Sequence, residues 1–132
     1  MKRFTPNMNG TFQKNRDPVQ LSKELSMDKF LGGNVSSEAG NHQHKYFLKS
    51  LVYHIGSTAF SGHYTADALR FRPRLETDAV GGGSGGSGSV GENKVPEWVS
   101  FDDSRATVTK LSDIVGSLTC QKAAYMLLYS MD

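Results

Sequence analysis

Cysteine is nearly missing from this chain. Cys120 is the only one, so no internal disulfide can close and no pair of thiols can found a zinc site. A lone thiol agrees with a reducing compartment, and the expected location is cytoplasmic or nuclear. Long apolar runs are also missing: nowhere do about 18 apolar residues follow one another, the length a membrane-crossing helix requires. The basic start, MKRFTPNMNG, contains no apolar stretch of signal-peptide length. Nor is one sign of charge in excess. The 15 Lys and Arg face 13 Asp and Glu and are scattered, so no basic stripe argues for nucleic acid, and no membrane partner is expected either. With 132 residues, one small domain spanning 1–132 is the most the chain can build.

What is present has mainly the period of strands. Residues 1–4 (MKRF) read as the end of a strand, followed by turn chemistry at Pro6, Asn7, Asn9 and Gly10. In residues 17–30, Val19 and Leu21 suggest a short strand before a polar turn or one helical turn, and residues 31–44 read as a surface loop. Residues 46–55 (YFLKSLVYHI) form a largely buried strand, with Phe47, Leu51, Tyr53 and Ile55 on one face and Leu48, Val52 and His54 on the other. A glycine-bounded loop, 56–62, leads to a hairpin partner at 63–71, on which His63 and Thr65 share a face. Residues 97–101 and 106–109 have strand composition. Leu111, Ile114, Val115 and Leu118, spaced i, i+3, i+4, i+7, predict one or two helical turns. The run AAYMLLY (123–129) reads as a central strand. The whole is an α+β chain, mainly antiparallel sheet with little helix. Between the second and third of the longer strands, GGGSGGSGS (81–89) has no side chain to order its backbone and is expected to be a flexible insertion, natural or deliberate.

Three blocks, LVYHIGSTAFSGHYTA (51–66), WVSFDDS (98–104) and AYMLLY (124–129), resemble the C-terminal signature blocks of the ubiquitin-specific proteases, and MKRF (1–4) resembles a further upstream block. That family of papain-like cysteine deubiquitinases cleaves after the ubiquitin C-terminal glycine. The resemblance implies a papain-like fold, of which this chain holds mainly the β-sheet palm. It implies His63 as general base and Asp102 as the acid that orients it, with Asp103 as a second acidic position. Imidazole titrates near neutrality, so it can hold a thiolate and later protonate the leaving amine. Ser61, Gly62 and Tyr64 then belong to the passage for the ubiquitin tail, where a Cβ at Gly62 would obstruct close approach of the backbone. Ubiquitin and ubiquitinated proteins are the implied partners, with no cofactor and no metal. Asp67 departs from the residue types commoner at its position.

The family's nucleophilic cysteine lies in an Asn-rich block ahead of the histidine, and nothing here matches it. Cys120 follows both His63 and Asp102 and reads as a buried small hydrophobe. The chain is thus expected to be the base-bearing C-terminal part of a bipartite site, inactive alone, with the N-terminal half of the catalytic domain as its partner. A catalytically dead ubiquitin-binding module and a non-functional fragment are the alternatives. Residue types admit blander roles: Asp102 to Ser104 is also ordinary turn chemistry, His42 and His44 have metal-ligand spacing but read as surface loop, and Trp98, Phe101, Tyr125 and Tyr129 read as core rather than a stacking platform.

Overall fold

The computed structural model describes residues 1–28, 30, 44–75 and 94–131; His42 and the glycine-rich tract at 81–89 lie outside the described residues. The strands are β1 (Phe4–Pro6), β2 (Phe12–Lys14), β3 (Glu24–Ser26), β4 (Lys45–Ile55), β5 (His63–Pro73), β6 (Lys94–Asp102), β7 (Arg105–Thr109) and β8 (Ala124–Ser130), with helices α1 (Leu111–Gly116) and α2 (Leu118–Ala123) between β7 and β8. β1 and β2 make a small hairpin of their own. The remaining strands form one six-stranded sheet ordered β3-β4-β5-β6-β7, with β8 also paired to β4. Every pairing among the described residues is antiparallel, as the strand-rich reading expects.

Aromatic and β-branched residues in β4 suit a strand covered on both sides. Leu51, Tyr53 and Leu48 enter the core with Trp98, Ala124, Leu21 and Ile114 of α1, while His54 is buried too. Leu48 departs from strict alternation. The register between β4 and β8 shifts between Leu48 and Ser50, and this irregularity places Leu48 in the same buried cluster as Leu51 and Tyr53. The helical spacing ends early as well. α1 stops at Gly116, Ser117 caps α2 by accepting from the Cys120 N–H, and Leu118 is left exposed.

At the amino end, MKRF opens a strand rather than closing one. β1 starts at Phe4, and Arg3 is buried with its guanidinium donating to the carbonyls of Asp17 (2.6 Å), Gln121 (2.8 Å) and Ala124 (2.9 Å). One planar fork thereby closes the α2–β8 junction. The strand foreseen around Val19 and Leu21 falls later, at Glu24–Ser26, and Leu21 instead enters the core. Trp98 is buried, whereas Phe101, Tyr125 and Tyr129 are half-buried. On the far face of the sheet Tyr64, Val108, Met126 and Leu128 remain exposed.

Candidate active site

Sheet register brings His63 and Asp102 together. One step beyond the last β5–β6 pair, Ala66↔Phe101, Asp102 falls opposite Thr65, and His63 lies two residues before Thr65 on the same face. The imidazole Nε2 and Asp102 Oδ1 share a hydrogen bond, which is an ion pair when the ring is protonated. Asp102 pairs with Arg105 at the end of the β6–β7 hairpin, so Asp103 and Ser104 form its two-residue turn. Asp103 adopts φ 51°, a left-handed conformation that Asp tolerates better than most residues. The stretch is thus a turn that also sets the Asp102 carboxylate against His63.

The hydrogen bond to Asp102 raises the His63 pKa above its ordinary value, and the charges of Asp102 and Asp103 add to it. Among the described residues Asp102 is the only hydrogen-bond partner of the His63 ring, which leaves Nδ1 as the atom able to accept a proton. Ligand atoms of His63, Asp102 and Asp103 lie within 4.8 Å of one another, close enough to share a cation, although Nε2 is engaged by Asp102. His44 is bonded through Nδ1 to Asp28 at 3.2 Å.

The turn before His63 is held from within. Thr58 Oγ1 accepts from the Ser61 N–H at 3.1 Å and lies 2.8 Å from the Ser61 hydroxyl. Gly62 rests on the His54 ring: a Cβ there would fall 2.2 Å from His54 Nε2. The absence of a side chain at Gly62 thus has an internal cause, apart from any ligand. Tyr64, one residue past His63, faces the other side of β5, packed against His54 (ring centroids 4.8 Å apart) and Tyr125 (5.9 Å).

Two groups carried little signal in the sequence. His54 is buried on the face away from His63, its ring flanked by Phe4, Tyr64 and Tyr125, and Lys14 Nζ approaches its Nδ1 at 3.1 Å. Asp67 is buried mid-strand and accepts from the Tyr53 hydroxyl at 2.5 Å and from the Ser100 hydroxyl. Burial foremost, with Asp67 and Cys120 beside it, pushes the Tyr53 phenol far above its ordinary pKa, so Tyr53 remains a donor. Asp67 was visible only as an unusual residue type in an apolar strand.

Cys120 is half-buried, not fully buried. It sits on α2 at an open cavity of about 320 Å³ whose lining includes Tyr53, Thr65, Asp67, Ser100 and Asp102.

Residues 1–129 match the family model described as "Ubiquitin carboxyl-terminal hydrolase". Over 130 residues, 98% of this chain, the sequence is 28% identical to "Ubiquitin carboxyl-terminal hydrolase 10-A" of Xenopus laevis, of which it spans 14%. It is 38% identical over 69 residues, 51% of the chain, to "Probable ubiquitin carboxyl-terminal hydrolase 3" of Schizosaccharomyces pombe, spanning 13% of that protein. Among solved structures, the SAGA DUB module of Ubp8, Sgf11, Sus1 and Sgf73 contains a chain that resembles it with TM-score 0.63 and 21% identity, over 98% of this chain and 22% of that one. A SAGA DUB module with a substituted Ubp8, bound to monoubiquitin, gives TM-score 0.61 at 22% identity, again over 98% of this chain and 21% of that one. These likenesses establish the shared fold, and the chain spans about a seventh of the curated relatives' length.

Proposed function

The chain belongs to the ubiquitin carboxyl-terminal hydrolase family, and from that membership we propose that it supplies the base and acid of a thiol-dependent deubiquitinase. The observation that carries this reading is the His63–Asp102 pair with Nδ1 left open beside it. Asp102 holds the ring by Nε2, fixing the tautomer and stabilising the imidazolium. Nδ1 takes the proton of a cysteine thiol furnished by a part of the enzyme outside residues 1–132. The thiolate attacks the carbonyl carbon of the last ubiquitin glycine, and the imidazolium returns the proton to the departing lysine amine. Water, deprotonated by the same nitrogen, then releases the acyl group as carboxylate.

Cys120 is not assigned the nucleophile's role: it lies on α2 beside Tyr53, and no hydrogen bond joins it to His63 among the described residues. Ubiquitin and ubiquitinated proteins are the substrates in this reading, Ser61, Gly62 and Tyr64 belong to the strip along which the ubiquitin tail passes, and Asp103 reinforces the negative field around His63. The N-terminal half of a catalytic domain is the structural partner, and the compartment is cytoplasmic or nuclear. No helix among the described residues is long and apolar enough to cross a membrane.

The test is His63→Ala in the complete enzyme, assayed with ubiquitin carrying a fluorogenic C-terminal amide. Loss of a general base is expected to lower kcat by about 10²–10⁴-fold, with ubiquitin affinity nearly intact. Unchanged turnover would overturn the catalytic reading. Preserved binding with no turnover even in the wild-type enzyme would favour the binding-module alternative.

A further inference from the structure

The pairing of β8 with β4 ends at Tyr53↔Ala124, so the carbonyls of His54 and Gly56, two residues apart, pass beyond the last strand on that side. Lys14, the last residue of β2, fills the gap. Its Nζ lies 2.5 Å from His54 O, 3.0 Å from Gly56 O and 3.1 Å from His54 Nδ1. An ammonium has three N–H donors, and here three acceptors meet them. For Nδ1 to accept, His54 must be neutral with its proton on Nε2.

The environment agrees with that count. Burial, then the neighbouring Lys14, lowers the His54 pKa, and burial, then Arg16 and Arg3, lowers that of Lys14. Among the described residues no carboxylate pairs with Lys14, so its charge is balanced by carbonyl and imidazole lone pairs alone. The His54 ring supports Gly62, and Gly56, at φ +149°, opens the same turn with Gly62 Cα and Ser61 O 2.9 Å from where its Cβ would be. Lys14 therefore grips the turn at its first residue and, through His54, at its last. His63 follows at once.

We propose that Lys14 is a positioning residue for His63: its ammonium replaces a strand at the end of β4 and fixes the 56–62 turn in the one shape that delivers the His63 ring to Asp102. This rests on the reading of His63 as general base. Lys14 never approaches the reacting atoms; it acts through the turn.

Lys14→Met keeps the aliphatic stem and removes the ammonium. In the full chain, NMR titration of isotope-labelled histidine is expected to show the His63 pKa falling towards ordinary imidazole while thermal unfolding stays cooperative. The charged groups facing His63 are Asp102 and Asp103, and neither is altered. In the complete enzyme kcat is expected to drop by about 10–100-fold with KM little changed, the cost of an ångström-scale misplacement. In the 132-residue chain, Lys14→Cys alkylated with bromoethylamine, in a Cys120→Ala background, restores an ammonium at nearly the same reach and should recover the His63 titration.

Should Lys14→Met lose cooperative unfolding, Lys14→Arg carries the same test, because a planar fork cannot converge on the three acceptors. A lower melting temperature with unaltered His63 titration and kcat would overturn the proposal, leaving Lys14 a purely structural tie. A shifted His63 titration, with kcat insensitive to both Lys14→Met and His63→Ala, would uphold the positioning and overturn the catalytic reading instead.

Discussion

Alanine at position 62 would drive a methyl group into the His54 ring. An ideal Cβ there lies 2.2 Å from Nε2, 2.8 Å from Cε1 and 2.8 Å from Ile55 O. Comfortable separation of such atoms is about 3.5 Å, so more than an ångström must be found somewhere. The ring is not free to yield it: Phe4 lies at 5.4 Å and Tyr64 at 4.8 Å, centroid to centroid, and Lys14 occupies its Nδ1. The turn moves instead, and His63 with it. Overpacking of this kind costs about 1–3 kcal/mol, and an ångström of misplacement at a catalytic group about 10²-fold in rate. Gly62→Ala in the complete enzyme should therefore lose about two orders of magnitude in kcat on a ubiquitin amide, and should melt several degrees lower. His54→Ala removes the obstructing ring, so the double variant should cost less than the two singles added, with a coupling of about 0.5–3 kcal/mol in denaturant titrations. Gly116→Ala, where a Cβ would meet nothing within 4 Å, is the control and should melt no lower than the wild type. Wild-type kcat in Gly62→Ala, or strict additivity with His54→Ala, would refute the reasoning.

Asp102→Asn should bring the His63 pKa down towards its ordinary value, since the hydrogen bond to Asp102 is the chief cause of its elevation. Because that pKa is raised on folding, the pair's contribution is fully present below the imidazole pKa of the unfolded chain. It is lost as pH rises through the folded value, so melting curves of Asp102→Asn and wild type should differ most in acid and converge in alkali. Tyr53→Phe removes one of the two side-chain donors on the buried Asp67 carboxyl and should cost about 1.5–3 kcal/mol in urea unfolding, read as a lowered midpoint. An unchanged midpoint would show that Asp67 finds another donor.

How far the sequence discloses the molecule depends on the physics involved at each position. β4, β5, β6, β7 and β8 were legible because apolar alternation and turn residues are local signals. His63 and Asp102 stand out only through motif blocks, and the sheet register brings their side chains together. Lys14 was invisible: a lysine ending a short strand looks like any surface cation until the fold sets it against the unpaired end of β4. Leu48 was assigned to the wrong face because alternation cannot announce a shift that exists only in pairing with β8. Leu118 kept the helical spacing but lost its place in the core when Ser117 started a new helix.

The β5–β6 ladder runs from Pro73↔Lys94 to Ala66↔Phe101, and it bridges two segments far apart along the chain. His63 and Asp102 are thus aligned like teeth of a zip whose far end is a long connection at 74–93. Lengthening or shortening that connection leaves the alignment alone, because the pairing absorbs nothing from it. Removing one residue inside β6 would slide every later tooth by one and turn Asp102 to the opposite side of the sheet. Register within the strands, and not the length of the connection, is therefore what sets His63 against Asp102.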